Sequence, residues 1–285
     1  MMMKAELLIQ NRSQLGEGAY YDEQRNVLLW LDIFGCEVHE LDLASGQDVC
    51  HKVEKPVTTI VPAETGYVVG MIDGVYRLDD DFKIARHLPS PDLDYAHYRC
   101  NDGKCGPDGR FWIGLMDVKG RDGQGALYVV NDEVCELAWT GFNVPNGIVW
   151  NSKQDKVYYT DSVGGRIYAF DYRDGKISNK KVIFHTDAGV PDGMTIDAED
   201  KIWAAVWGSS CVYRIDPETG RILETVETPV PQVSSVAIAH RRLYITSATE
   251  SMDEEQVARY PLSGSLFTAA IDVDGVPSFR YRGRA

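Results

Sequence analysis

One strand-and-turn unit recurs about every 43 residues along this chain, and few architectures accept such a repeat. Its hairpin is plainest in three places. Asn26-Val-Leu-Leu-Trp-Leu-Asp32 is followed by Glu37-Val-His-Glu-Leu-Asp42, and Lys156-Val-Tyr-Tyr-Thr-Asp161 by Arg166-Ile-Tyr-Ala-Phe-Asp171. Lys201-Ile-Trp-Ala-Ala-Val-Trp207 is followed by Cys211-Val-Tyr-Arg-Ile-Asp216. Each pair ends in a glycine turn, at Ser45-Gly46, Asp174-Gly175 and Thr219-Gly220. Upstream lies a further strand opened by a polar residue and glycine: Glu17-Gly18, Asn146-Gly147 and Asp192-Gly193, with Asp102-Gly103 as a fourth. Two more units lack the glycine but carry comparable strands at Thr58-Thr59-Ile-Val and Ser234-Ser235-Val-Ala-Ile. Positions 17, 59, 102, 146, 192 and 235 are thus equivalent, and six units fill the chain.

Short Val-, Ile-, Tyr- and Trp-rich runs bounded by Gly, Asp, Asn and Pro predict strands throughout, and no long window carries a helical stripe. The fold class is therefore all-β. Six units of this length without distinct caps predict a closed six-bladed β-propeller with four-stranded antiparallel blades, a single domain over residues 1–285. The strand Ala5 to Gln10 precedes the first unit and is expected to close the ring by joining the last blade.

In a propeller the first strand of each blade lines the axis, so equivalent positions converge at one mouth of the channel. Glu17, Asp102, Asn146 and Asp192 would meet there. Carboxylates gathered in a narrow channel repel unless protonated or balanced by a cation. Oxygen donors suit one divalent metal ion of the Ca, Mg or Mn class, with Ca favoured, although Zn or Fe(II) can also enter such a site. For each residue alone ordinary Asx-Gly turn chemistry competes with function. Recurrence in phase, including a Glu that no turn requires, favours the metal.

The formal charge of −14, from 29 basic and 43 acidic residues, argues against nucleic acid or an anionic membrane as a partner. No run approaches the ~18 apolar residues of a membrane helix, and Met1 to Gln10 lacks the layout of a signal peptide, so a cytoplasmic location is expected. The six cysteines are scattered and are expected to be reduced, structural thiols. The six histidines share no blade position, which removes support for a Ser-His-Asp triad. The tryptophans on strands are expected to pack between blades, with Trp207 a candidate pocket wall.

The motifs also carry a resemblance. Leu15-Gly-Glu-Gly18, Arg99-Cys-Asn-Asp-Gly-Lys104, Gly109-Arg-Phe-Trp-Ile-Gly-Leu-Met116, Pro145-Asn-Gly147 and Pro191-Asp-Gly-Met194 resemble the gluconolactonase, regucalcin and luciferin-regenerating-enzyme family. Gly264-Ser-Leu-Phe267 and Gly275-Val-Pro277 are similar to its closing signature. The resemblance implies a metal-dependent sugar-lactone hydrolase. Glu17, Asn146 and Asp192 match the family's metal ligands, Asp192 its acid/base residue, and Arg99 and Asn101 its substrate contacts; Asp102 would orient a ligand. Some members place another acid shortly after the Met116 position. Here Asp117 is the nearest acid and Val118-Lys119 stand in that place, which leaves the substrate open. A calcium-binding regulatory propeller, an interaction scaffold, and a metal-dependent esterase or organophosphatase are the rivals.

Overall fold

The computed structural model describes residues 2–283 and forms a six-bladed β-propeller. Six sheets are arranged around the axis, each built on four antiparallel strands. Their innermost strands are Gly16–Asp22, Val57–Pro62, Tyr98–Cys105, Pro145–Trp150, Val190–Ile196 and Val233–Ala239. Each touches the innermost strand of both neighbouring blades, so the ring is shut. Inner strands buried on both faces explain the nearly continuous apolar runs that the sequence shows. Facing blades interdigitate large side chains; Trp112 of blade three meets Trp150 of blade four edge to face at 5.7 Å.

The N-terminus closes the ring as expected. Glu6–Ile9 is the outermost strand of blade six and pairs antiparallel with Leu266–Ala270. The preceding residues add something the repeat did not reveal: Met2–Lys4 runs parallel to Arg221–Glu227 as a fifth strand of blade five. One stretch of chain therefore bridges two blades. The other departure from an all-strand chain is the helix Glu254–Arg259, capped by Asp253 and Gln256, in the loop after the second strand of blade six. No helix among the described residues is long and apolar enough to cross a membrane.

The two ends of the channel differ. After the last blade the chain crosses the far end, bridging at Asp197–Gly275 and Cys105–Phe279. The Tyr281 amide donates to the Pro62 carbonyl, and Arg280 ion-pairs with buried Asp22 at 2.6 Å. These contacts touch blades one, two, three and five, so the tail covers the channel floor. At the opposite end lie the starts of the innermost strands, and the channel opens there.

If the N-terminal stretch ties blades five and six, deleting residues 1–9 should lower Tm by more than about 10 °C or leave the chain insoluble. A thermal melt within about 3 °C of the full chain would contradict that role.

Candidate functional site

Every innermost strand carries a β-bulge next to its start. The ladder is interrupted between Glu17 and Tyr20, Val57 and Thr59, Cys100 and Gly103, Pro145 and Ile148, Pro191 and Met194, and Val233 and Val236. A bulge frees residues from pairing and re-aims their side chains, and here six of them ring one mouth. Glycines follow because the backbones pack closely. A Cβ on Gly147 would lie 2.7 Å from the Met194 amide, and one on Gly103 2.3 Å from the Trp112 carbonyl.

The bulges also adjust the phase. Asn146 and Asp192 are the first unpaired residues of theirs, but in blade three that place belongs to Asn101, with Asp102 one residue deeper. In blades two and six it falls on Thr58 and Ser234 rather than on 59 and 235, and Glu17 stands one residue before its bulge. The repeat is thus in register to within one residue, which its turn residues alone could not fix.

Glu17, Asn146 and Asp192 are all buried, with 8%, 6% and 6% exposure. Each leaves one oxygen uncommitted. Glu17 accepts the Gly18 amide through Oε2 at 2.9 Å, and Asn146 donates Nδ2 to Ser162 Oγ at 2.9 Å, which leaves its carbonyl oxygen free. Asp192 Oδ1 is buried without a hydrogen-bond partner among the described residues. An orphaned buried carboxylate oxygen is costly. Three hard oxygens with no protein partner fit a divalent cation, and the two carboxylates supply charge to balance it.

Asp102 is buried too, but its charge is answered locally. Oδ1 accepts the Gly103 amide at 2.7 Å, and Lys104 is the largest charge acting on it. The Lys104 Nζ, on a half-buried side chain, donates to the Met194 carbonyl at 2.6 Å. Arg99 lies above. Its Nη1 donates to Asn101 Oδ1 at 2.8 Å and to the Cys100 carbonyl, while Asn101 Nδ2 donates to the Pro145 carbonyl at 2.8 Å. That chain of bonds fixes Arg99 and Asn101 against blade four.

Two acids near the mouth have contrasting roles. Asp117 is fully buried and accepts the Lys119 amide and the Arg121 guanidinium, so it holds its own loop. Glu250, which the repeat did not single out, follows the second strand of blade six, its amide on the Gln14 carbonyl at 2.8 Å. Its carboxylate makes no hydrogen bond or ion pair among the described residues. It is the largest charge acting on Arg99, across the ring in blade three. Partly exposed Phe34, Val118 and Val163 rim the same mouth, and Trp207 packs there on Leu15, Ile33 and Ala248.

Burial, and then the neighbouring Asp102 charge, push the Glu17 carboxyl up to about 8, and burial with Glu17 beside it pushes Asp192 upward as well. In the metal-free protein the native state therefore holds protons that the unfolded chain has released. Since the native state binds more protons, stability falls as pH rises from the ordinary 4.5 toward about 8. Melts of stripped protein should show Tm dropping between about pH 5 and about pH 8, with saturating Ca(II) removing most of the drop at the upper end. A metal-free Tm that rises over that window would contradict the charge convergence.

Comparison with known proteins identifies the family. Residues 15–249 match the model of the SMP-30/Gluconolactonase/LRE-like region. The chain is 33% identical to regucalcin of Gallus gallus and 32% identical to the protein named "Putative sugar lactone lactonase YvrE" of Bacillus subtilis, each over 99% of both chains. Among solved structures it superposes on a calcium-binding protein, regucalcin, of Agrobacterium tumefaciens with a TM-score of 0.92 and 27% identity, covering 99% of this chain and 98% of that one. The chain belongs to the SMP-30/gluconolactonase/LRE-like family.

Proposed function

We propose that this protein hydrolyses a sugar lactone to the aldonic acid with the help of one divalent cation held by Glu17, Asn146 and Asp192. The observation that carries the reading is the buried, unpartnered Asp192 Oδ1, with an uncommitted oxygen on each of the buried residues Glu17 and Asn146 at the same mouth. When bound, the cation would supply Lewis acidity toward the lactone carbonyl and hold the carboxylates ionised.

The chain's own residues then do the following. Asp192 takes a proton from water as the water oxygen bonds to the carbonyl carbon. As the carbon–ring-oxygen bond breaks, the same carboxyl returns that proton to the departing oxygen, giving one hydroxy acid per lactone and water. Arg99 and Asn101 are held rigid by their mutual bond and by the Pro145 carbonyl, and they orient the sugar by hydrogen bonds. Asp102, its charge countered by nearby Lys104, would orient the ligands from beneath. The rim formed by Phe34, Val118 and Val163 offers an apolar wall for the carbon face of the ring.

Glu250 faces Arg99 across that space and is placed to accept sugar hydroxyls. A second reading is a calcium-binding propeller with little catalysis; the calcium-binding relative favours it. A location in the cytoplasm and the absence of nucleic-acid and membrane partners accord with the charge.

The deciding assay is a panel of aldonolactones with stripped protein and metals returned singly. Activity should require the metal, and Asp192→Asn should lower kcat/KM by about 10²–10⁴-fold. Hydrolysis that survives complete metal removal would refute the mechanism. Metal binding without turnover of any lactone would favour the second reading. Glu250→Gln should raise KM by about 5- to 50-fold with kcat little changed, because it removes binding shared by substrate and transition state. An unchanged KM would remove Glu250 from the site.

A further inference from the structure

A second cluster of ligating side chains lies far from the axis, on the outer half of blade one. In its sheet Trp30 pairs with His39, and His39 pairs with Cys50 on the outermost strand, Asp48–Lys52. Cross-strand partners, and residues two apart on one strand, share a face. Trp30, Glu37, His39, Asp48 and Cys50 therefore stand together. One ligand atom from each of Glu37, His39 and Cys50 lies within 4.8 Å of the others.

The imidazole is fixed in advance. His39 is 5% exposed and stacks on the Trp30 ring at 3.8 Å between centroids. Its Nδ1 lies 2.7 Å from Asp48 Oδ2, and the other Asp48 oxygen accepts the Trp30 indole N–H at 3.1 Å. A carboxylate can only accept, so Nδ1 carries a proton. The remaining nitrogen, Nε2, has only a long 3.5 Å approach to Glu37 Oε2. It faces the Glu37 carboxylate, and the Cys50 thiol belongs to the same 4.8 Å cluster. A buried histidine whose outer nitrogen is held by a carboxylate is the arrangement that orients zinc-bound imidazoles. The chain's own repeat underlines the choice: at the place of His39, blades four and five carry Tyr168 and Tyr213.

We propose that Glu37, His39 Nε2 and Cys50 Sγ form a second metal site, selective for a borderline transition ion such as Zn(II) or Co(II). One nitrogen, one sulfur and one oxygen suit those ions, whereas the oxygen-only axial site prefers harder cations. Cys50 is exposed, so the site opens to solvent and leaves a position for water. The competitor in the apo state is Lys52, whose ammonium lies 2.5 Å from Glu37. Its side chain is 70% exposed, and an exposed ion pair is cheaply displaced. Occupation would tie the outermost strand of the blade, which pairs along one edge only, to its neighbour.

The test uses Co(II) on reduced, metal-stripped full-length protein. A thiolate ligand gives Co(II) a sulfur-to-metal charge-transfer band in the near ultraviolet, and the axial oxygens give none. The band should appear on titration, vanish when Zn(II) is added, and be absent in Cys50→Ser, a substitution at an exposed position. Glu37→Gln and His39→Gln should each weaken binding by at least about 10-fold. Absence of the band at saturating Co(II), or its persistence in Cys50→Ser, would overturn the proposal.

Discussion

Several buried charges converge on the axis of this propeller, and the open mouth is organised around that convergence. Burial disfavours the charges of Glu17, Asp102 and Asp192, and Asp102 raises both of the others while Glu17 raises Asp192 further. Lys104 beside Asp102 answers one of the three, while Arg99 only partly offsets the burial of Glu17 and Asp192. The other two are left with free oxygens beside the free carbonyl oxygen of Asn146. Such an arrangement is expensive as a scaffold and useful as a cation site. The bulges, the close glycines and the covered channel floor all serve to hold it in place.

Covering the floor matters to the chemistry as well as to stability. With the tail packed against blades one, two, three and five, the site is reached from one side only. In the proposed function, substrate groups would meet Arg99, Asn101 and Glu250 at the mouth before reaching the carboxylates. Fixing Arg99 through Asn101 and the Pro145 carbonyl spends hydrogen bonds within the protein so that fewer freedoms are lost when substrate arrives.

Much of this was legible in the sequence because the hairpins carry their own turn chemistry. Glycine turns such as Asp174-Gly175 and Thr219-Gly220, following Ile-Tyr and Val-Tyr runs, mark the strand order and blade count. The axial set was legible because a recurring polar-Gly pair marks the bulge. The exact phase was not, since a bulge can slide by one residue without altering local propensity, and Asn101 took the place assigned to Asp102. Glu250 was hidden by the insertion carrying the helix Glu254–Arg259, which departs from the repeat. The Glu37–His39–Cys50 cluster was hidden differently: it exists only through cross-strand register, which sequence spacing does not display. The parallel pairing of Met2–Lys4 likewise depends on where the ring closes.

The central claim is that the uncommitted oxygens of Glu17, Asn146 and Asp192 hold one cation together. Anomalous diffraction from crystals grown with Mn(II), an oxygen-preferring ion, tests it most directly. The account predicts a strong peak on the propeller axis bonded to all three residues, lost in Asp192→Asn. A fully occupied crystal without a peak on the axis, or one whose axial ion avoids Asp192, would contradict it.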